Sequence, residues 1–301
     1  MTPINITLRY LLLQDRKFVR RIEKELRQFH PWAAEALEEA ADMFPMFLAI
    51  SNKSEKQFED QIILERRAQD LGIPFNELEK RLQSGKSDSA LAIVRPAWIA
   101  YRAREISKTL VILCQKQFRW AATDLMRGRV TSAIGHTRLQ IESVSLMNLF
   151  KDKPERAHEW FAAQDETSGM DFFKATRKDL EKVRKKLQLN EAYKRASGQA
   201  QHVRMSTLLF SYHITHHSDT GSRLYTPDNE FNPSDALRYL DAFLALLITQ
   251  GRVFDAITQA FEVHNPLWRV RVTRFRIRVT DLVKELVRQY PDQTQTIRVT
   301  P

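Results

Sequence analysis

The chain has 301 residues, with Lys+Arg 47 against Asp+Glu 37, one cysteine and only 8 glycines. That glycine content is under half the usual share of about 7%, which excludes a Gly-rich dinucleotide or phosphate-loop core and a collagenous chain, and a single cysteine excludes a disulfide scaffold. The net charge of +10 favours polyanionic partners: nucleic acid, an acidic membrane or an acidic protein.

The chain opens Met1-Thr-Pro-Ile and soon reaches Asp15, Arg16 and Lys17, unlike a signal peptide with its basic start and apolar run. No stretch approaches about 18 uncharged apolar residues, so no transmembrane segment is expected. Cys114 lies in the apolar run Leu110-Val-Ile-Leu-Cys114 and reads as a buried thiol. Together these features predict a cytoplasmic protein.

Apolar residues at Leu8, Leu11, Leu12, Phe18, Ile22 and Leu26 predict a first helix. Pro31 opens a second that reaches Met43–Ile50. Phe58, Ile62 and Leu64 mark a third, which ends near Leu71-Gly72-Ile73-Pro74. The small, polar stretch Gln83–Ser89 closes an N-terminal helical segment, 1–88. Within it, Ser84-Gly85-Lys86-Ser87 has the tail of a phosphate-loop pattern. Lys80 stands where the upstream glycine belongs and no strand precedes it, so this reading fails.

A helical bundle is predicted over 89–265. Ile99, Ile106, Leu110, Leu113 and Trp120 define a helix from about Pro96 to Arg127, with proline in its first turn and Gly128 as its break. Further helices are expected at about 130–151, 155–163, 169–187 and, after Ser197-Gly198, 198–217. The long stripe Ala236, Leu240, Phe243, Leu247, Phe254, Ile257, Phe261 lies between the cap cluster Asn232-Pro233-Ser234-Asp235 and Asn265-Pro266. The remainder, 266–301, is a basic C-terminal helix and tail. Residues 268–279 alternate like a strand. Trp268, Val272, Phe275, Val279, Leu282 and Leu286 step like a helix, and length favours one helix through Gln289. The fold expected is all-α: an up-and-down helical bundle with an additional N-terminal helical segment.

Three constellations could carry chemistry. Arg269, Arg271, Arg274, Arg276 and Arg278 put five positive charges within ten residues, with no acid before Asp281. They read either as an electrostatic arm for RNA or another polyanion, or as helix faces paired with acids from neighbours. Of the histidines, His202, His213, His216 and His217 fall in the predicted 198–217 helix, with His213 and His217 at the i, i+4 spacing that lets two imidazoles share a divalent metal. The metalloprotease glutamate is absent, and the alternative is a set of hydrogen-bonded bundle histidines. No cofactor is therefore the first expectation, with a divalent metal as the alternative. Arg138 and Glu142, also i, i+4, predict an ion pair near the core. Tyr193, Ser197 and His202 cluster at the start of the histidine helix. A Ser197–His202 nucleophile–base pair lacks any oxyanion-hole signature, and Ser197 before Gly198 reads as a turn or cap.

Two of these stretches, with the closing helix 235–262, resemble a known family. They are Arg138-Leu-Gln-Ile-Glu142, followed by Leu149-Phe150-Lys-Asp-Lys-Pro154 and Trp160, and Tyr193-Lys-Arg-Ala-Ser197-Gly-Gln-Ala-Gln-His202. The region 97–261 is similar to the all-helical HEPN-type superfamily (higher eukaryotes and prokaryotes nucleotide-binding domains), in its little-characterised bacterial branch. The resemblance implies a bundle that is often a homodimer and acts through protein or nucleic-acid partners, with bacterial stress or antiviral defence as a setting. Some members are metal-independent ribonucleases with an Arg-x4-6-His motif. Arg195 and His202 match that spacing, as do Arg129 and His136, although Ala196 replaces the polar residue that usually follows the arginine. A ribonuclease would use His202 as general acid or base and Arg195 on the phosphate, beside Tyr193.

Overall fold

A computed structural model of the chain describes residues 20, 23, 24, 27, 28, 31–51, 55–83, 89–126, 129–163, 165–201, 212–216, 223–227 and 236–289. The elements in order are α1 (Pro31–Ser51), α2 (Glu55–Asp70), α3 (Phe75–Gln83), α4 (Ser89–Ala92), α5 (Arg95–Met126), α6 (Val130–Asp152), α7 (Glu155–Ala162), α8 (Glu166–Lys186), α9 (Asn190–Gln201), β1 (Tyr212–His216), β2 (Arg223–Pro227), α10 (Ala236–Ala260) and α11 (Pro266–Gln289). The architecture is the expected all-α up-and-down bundle.

The long helices α5 and α6 pack against each other as a hairpin, and α10 lies along α6. Their shared core holds Phe118, Met147, Phe150, Phe243 and Phe254, all essentially inaccessible to water. Each such side chain stabilises the fold by about 1.5–3 kcal/mol through burial. Buried polar side chains fix the register between these helices. The Gln140 amide donates to the Cys114 carbonyl at 2.9 Å and to Gln250 Oε1 at 3.0 Å, and Asn148 Nδ2 donates to the Ala256 carbonyl at 3.0 Å.

The same core takes in both α1 and α11. Phe44 packs on Phe254 with ring centroids 5.2 Å apart, and Phe47 packs on Trp268 at 5.2 Å. The fully buried Trp268 donates its indole N–H to Thr258 Oγ1 at 2.7 Å. The helical reading of 268–279 therefore prevails over the alternating one, because its 3.6-residue stripe has a core to face. A smaller cluster, Leu64, Ala68, Leu78, Leu82, Leu91, Val94 and Trp98, joins α2, α3 and α4 to the start of α5. Gly72, at φ +64°, ends α2 in the left-handed conformation that glycine adopts without strain. Neither expected boundary, 88 or 265, separates independent cores: α1 and α11 both belong to the main one.

The helix expected over 198–217 is not found as such in the described residues: 198–201 belong to α9, 212–216 to a strand, and 202–211 lie outside them. Ser197 and Gly198 do not break the chain; both lie inside α9. A glycine in a helix interior costs only about 1 kcal/mol relative to alanine, which neighbouring residues offset. Downstream, Tyr212–His216 pairs antiparallel with Arg223–Pro227, from Tyr212 opposite Pro227 to His216 opposite Arg223. The aromatic and β-branched residues Tyr212, Ile214, Thr215, Tyr225 and Thr226 suit a strand. Among the described residues, no helix is long and apolar enough to cross a membrane.

Candidate functional site: a cationic cleft between three helices

The site begins with local sequence. Asp165 caps α8, its Oδ1 accepting the Ser168 N–H at 2.8 Å. Along α8, Met170, Phe173, Lys174, Arg177, Leu180, Glu181 and Arg184 recur at three- and four-residue steps, so they share one face. The chain then reverses through Gln188, at φ 56°, whose carbonyl accepts a hydrogen bond from Arg252 of α10. The returning α9 presents Asn190, Tyr193, Lys194 and Ser197. Arg138 and Glu142 of α6 complete the wall. These residues enclose a cleft of about 650 Å³, within the range of ligand sites.

A bonded cluster organises it. Glu142 Oε1 accepts the Tyr193 hydroxyl at 3.0 Å and the Arg138 Nε–H at 3.0 Å. The ion pair predicted between Arg138 and Glu142 is thus present, but as part of a cleft wall. Burial opposes the charge on Arg138, yet Glu142 and Tyr193 outweigh it and hold its pKa above the ordinary arginine value. The Arg184 guanidinium carbon lies 4.0 Å from the Tyr193 ring centroid, and that of Arg138 lies 5.7 Å from it. Both distances are in the cation–π range.

Arg184 is only 8% exposed, and burial pulls its pKa below the ordinary value. Its Nε, and the Oγ of Ser197, are buried without a hydrogen-bond partner among the described residues. Closer to solvent, Lys174 pairs with Asp171, Lys194 with Glu191, and Glu181 with Lys185. Five cationic side chains therefore face the cleft against two carboxylates, together with Phe173 and Tyr193. The arrangement sets an excess of positive charge beside aromatic rings.

Of the residues expected to act together, Tyr193 is in the cleft. Arg195 is exposed and does not line it. Two residues beyond Tyr193 on a helix, it points about 200° away. His202 lies outside the described residues. The other matching pair leads elsewhere: His136 Nδ1 is 2.7 Å from Gln117 Oε1 and its Nε2 is 3.3 Å from Asp124 Oδ2, between α5 and α6.

The arginines of α11 are largely engaged within the fold. Arg271 and Arg278 reach Glu39 of α1 at 3.8 and 2.9 Å, and Arg276 reaches Asp255 of α10 at 2.9 Å. Arg269 bonds the Val263 carbonyl and contacts the His264 ring. Arg274 is exposed. Arg271, Arg276 and Arg278 make these ties while remaining partly exposed.

His213 and His216 belong to strand β1 rather than to a helix, and His217 lies outside the described residues. The i, i+4 helical spacing that suggested a metal is therefore not formed. Among the described residues, no group of three or more His, Cys, Asp or Glu side chains could hold a metal ion. Cys114 is buried, and burial pushes its pKa up to about 12, as expected of an unreactive thiol.

Sequence reasoning missed Lys174, Arg177, Arg184 and Lys194. A signal was present: Lys174, Arg177, Lys178, Lys182, Arg184, Lys185 and Lys186 give α8 a cation density comparable to that of the α11 segment. No protein-family model, curated protein or solved structure matches the chain.

Proposed function

We propose that the protein binds single-stranded nucleic acid, RNA first, with the cleft between α6, α8 and α9 as the seat of one nucleotide. The observation that carries this is the excess of cations over carboxylates in a cleft that also offers aromatic faces. Phosphates take the cations and an unstacked base takes the exposed Phe173 ring, the usual division of labour at single-strand sites. Lys178, Lys182, Lys185 and Lys186 are exposed and continue the positive charge along α8 beyond the cleft, which favours a polymer over a lone mononucleotide. The resemblance to HEPN-type proteins, some of them ribonucleases, points to the same class of partner. Binding is favoured over cleavage because Arg195 stands apart from Tyr193 and the cleft.

The test is fluorescence anisotropy with a labelled single-stranded RNA and the matching DNA at several salt concentrations. Three to four phosphate contacts predict a log–log salt slope of about −2 to −3 for a single strand. The double reversal Lys174→Glu with Arg177→Glu, on an unaltered circular dichroism spectrum, should weaken binding at least about tenfold. Arg274→Glu on α11 should change it by less. Absence of binding at low salt, or binding indifferent to the cleft reversal, overturns the proposal.

A further inference from the structure

We propose that the inner end of this cleft receives the terminal phosphomonoester of the bound strand, so that the protein reads a phosphorylated end. The inference rests on the cleft being the strand's seat, and it deepens that reading.

It starts from the two buried atoms that lack partners, Arg184 Nε and Ser197 Oγ. They come from different helices and line the same cleft. An arginine Nε can only donate a hydrogen bond, and a serine hydroxyl can donate one, so a ligand that brings acceptor oxygens into the cleft completes them. The carboxylates of the cleft do not supply them. Glu142 is bonded through Oε1 to Arg138 and Tyr193, and Glu181 is paired with Lys185; both attract the Arg184 charge, but neither bonds its Nε. Arg184 is thus a buried cation whose Nε has no acceptor among the described residues, with its guanidinium against the Tyr193 ring. Tyr193 and Ser197 are i, i+4 on α9, so the ring that holds the guanidinium and the hydroxyl beside it share a helix face. The donors are fixed before any ligand arrives, which reduces the ordering cost of binding.

The chemistry selects a phosphomonoester over an internal phosphodiester. A monoester carries about −1.5 to −2 charges and three free acceptor oxygens near neutral pH. A diester inside a strand carries one charge, offers two free oxygens and has a nucleotide tethered on each side. Donors that are almost wholly buried are reached most easily by a group with a single tether. At the outer part of the cleft, Met170 and Phe173 are 53% and 40% exposed, an apolar seat for the first base. A strand end and a free nucleoside monophosphate share this chemistry and differ in whether the charge along α8 adds to binding.

The experiment compares labelled eight-nucleotide RNAs bearing a 5′-phosphate, a 3′-phosphate or hydroxyls at both ends, with AMP and inorganic phosphate as competitors. One phosphorylated strand should bind at least about tenfold more tightly than the hydroxyl strand. Ser197→Ala and Arg184→Lys should each remove most of that preference, weakening the phosphorylated strand by clearly more than the hydroxyl strand. Arg184→Lys keeps the charge and removes the planar fork, so it separates recognition from simple attraction. Competition by AMP at concentrations matching the phosphorylated strand assigns the pocket to a free mononucleotide and overturns the strand-end assignment. Equal affinity for all three strands, with binding intact, overturns the phosphomonoester inference and leaves the cleft as the strand's seat. No binding of any strand overturns the function proposed for the cleft itself.

Discussion

Arg184→Met should stabilise the empty protein while impairing ligand binding, the reverse of what removing a core side chain normally does. Arg184 is 8% exposed and its Nε has no partner among the described residues. A buried donor left unsatisfied costs about 1–3 kcal/mol. Against this stands the contact with Tyr193, 4.0 Å away, which contributes about 0.5–2 kcal/mol as a cation–π pair. Methionine keeps an unbranched stem, and its sulfur recovers about 0.3–1.5 kcal/mol against the same ring. The terms leave the variant between about 0.7 kcal/mol less stable and about 4 kcal/mol more stable, centred near about 1.7 kcal/mol of stabilisation. The ligand, however, loses a charge-assisted hydrogen bond worth about 1.5–3 kcal/mol, or about 10- to 150-fold in affinity. Urea unfolding followed by circular dichroism measures the first effect, and anisotropy with a 5′- or 3′-phosphorylated RNA the second. A variant that is less stable by more than about 1 kcal/mol would refute the reasoning, since the guanidinium would then be well satisfied without ligand.

Two further predictions concern the scaffold. Trp268→Ala should cost about 3–5 kcal/mol in urea unfolding. Trp268→Phe should cost only about 1 kcal/mol, because Thr258 Oγ1 keeps its own bond to the Phe254 carbonyl at 2.7 Å; near-equal losses would mean that packing against Phe47 and Phe254 matters little. His158 packs on Trp98, and burial, aided by the Arg102 charge, lowers its pKa from 6.5. Protonation therefore favours the unfolded chain, so its contribution is complete above about pH 6.5 and is lost as pH falls through the depressed value. The decline in Tm below pH 6.5 should be shallower in His158→Gln; an identical pH profile in the two proteins would dismiss that role.

Helices with a long apolar stripe and a neighbour for it were legible in the amino-acid order. Residues 95–126, 130–152, 236–260 and 266–289 fall close to their predicted bounds, because periodicity over several turns leaves little choice of buried face. The α9 region was misplaced because Ser197-Gly198 carries a strong local turn signal, which the surrounding helix overrides. The acids that pair with the α11 arginines could not be named in advance, because Glu39 and Asp255 are distant in sequence and no local pattern announces them. Tyr193, Arg138 and Glu142 were each singled out, but their meeting depends on α9 folding back onto α6. Arg184 was indistinguishable from its lysine neighbours until burial set it apart.

The pairing of Glu39 with Arg278 spans 239 residues. It has a consequence for how the molecule is made. The aromatic wall of Phe44, Phe47 and Phe254 is completed by Trp268 and Phe275, so synthesis must pass Phe275 before that wall can close. At about 5–20 residues per second, the nascent protein carries a sticky, open face for many seconds on the ribosome. Its folding is governed by late, long-range closure rather than by the readily formed α5–α6 hairpin. Expression yield should therefore depend on chaperone supply and growth temperature, even though the finished bundle is well packed.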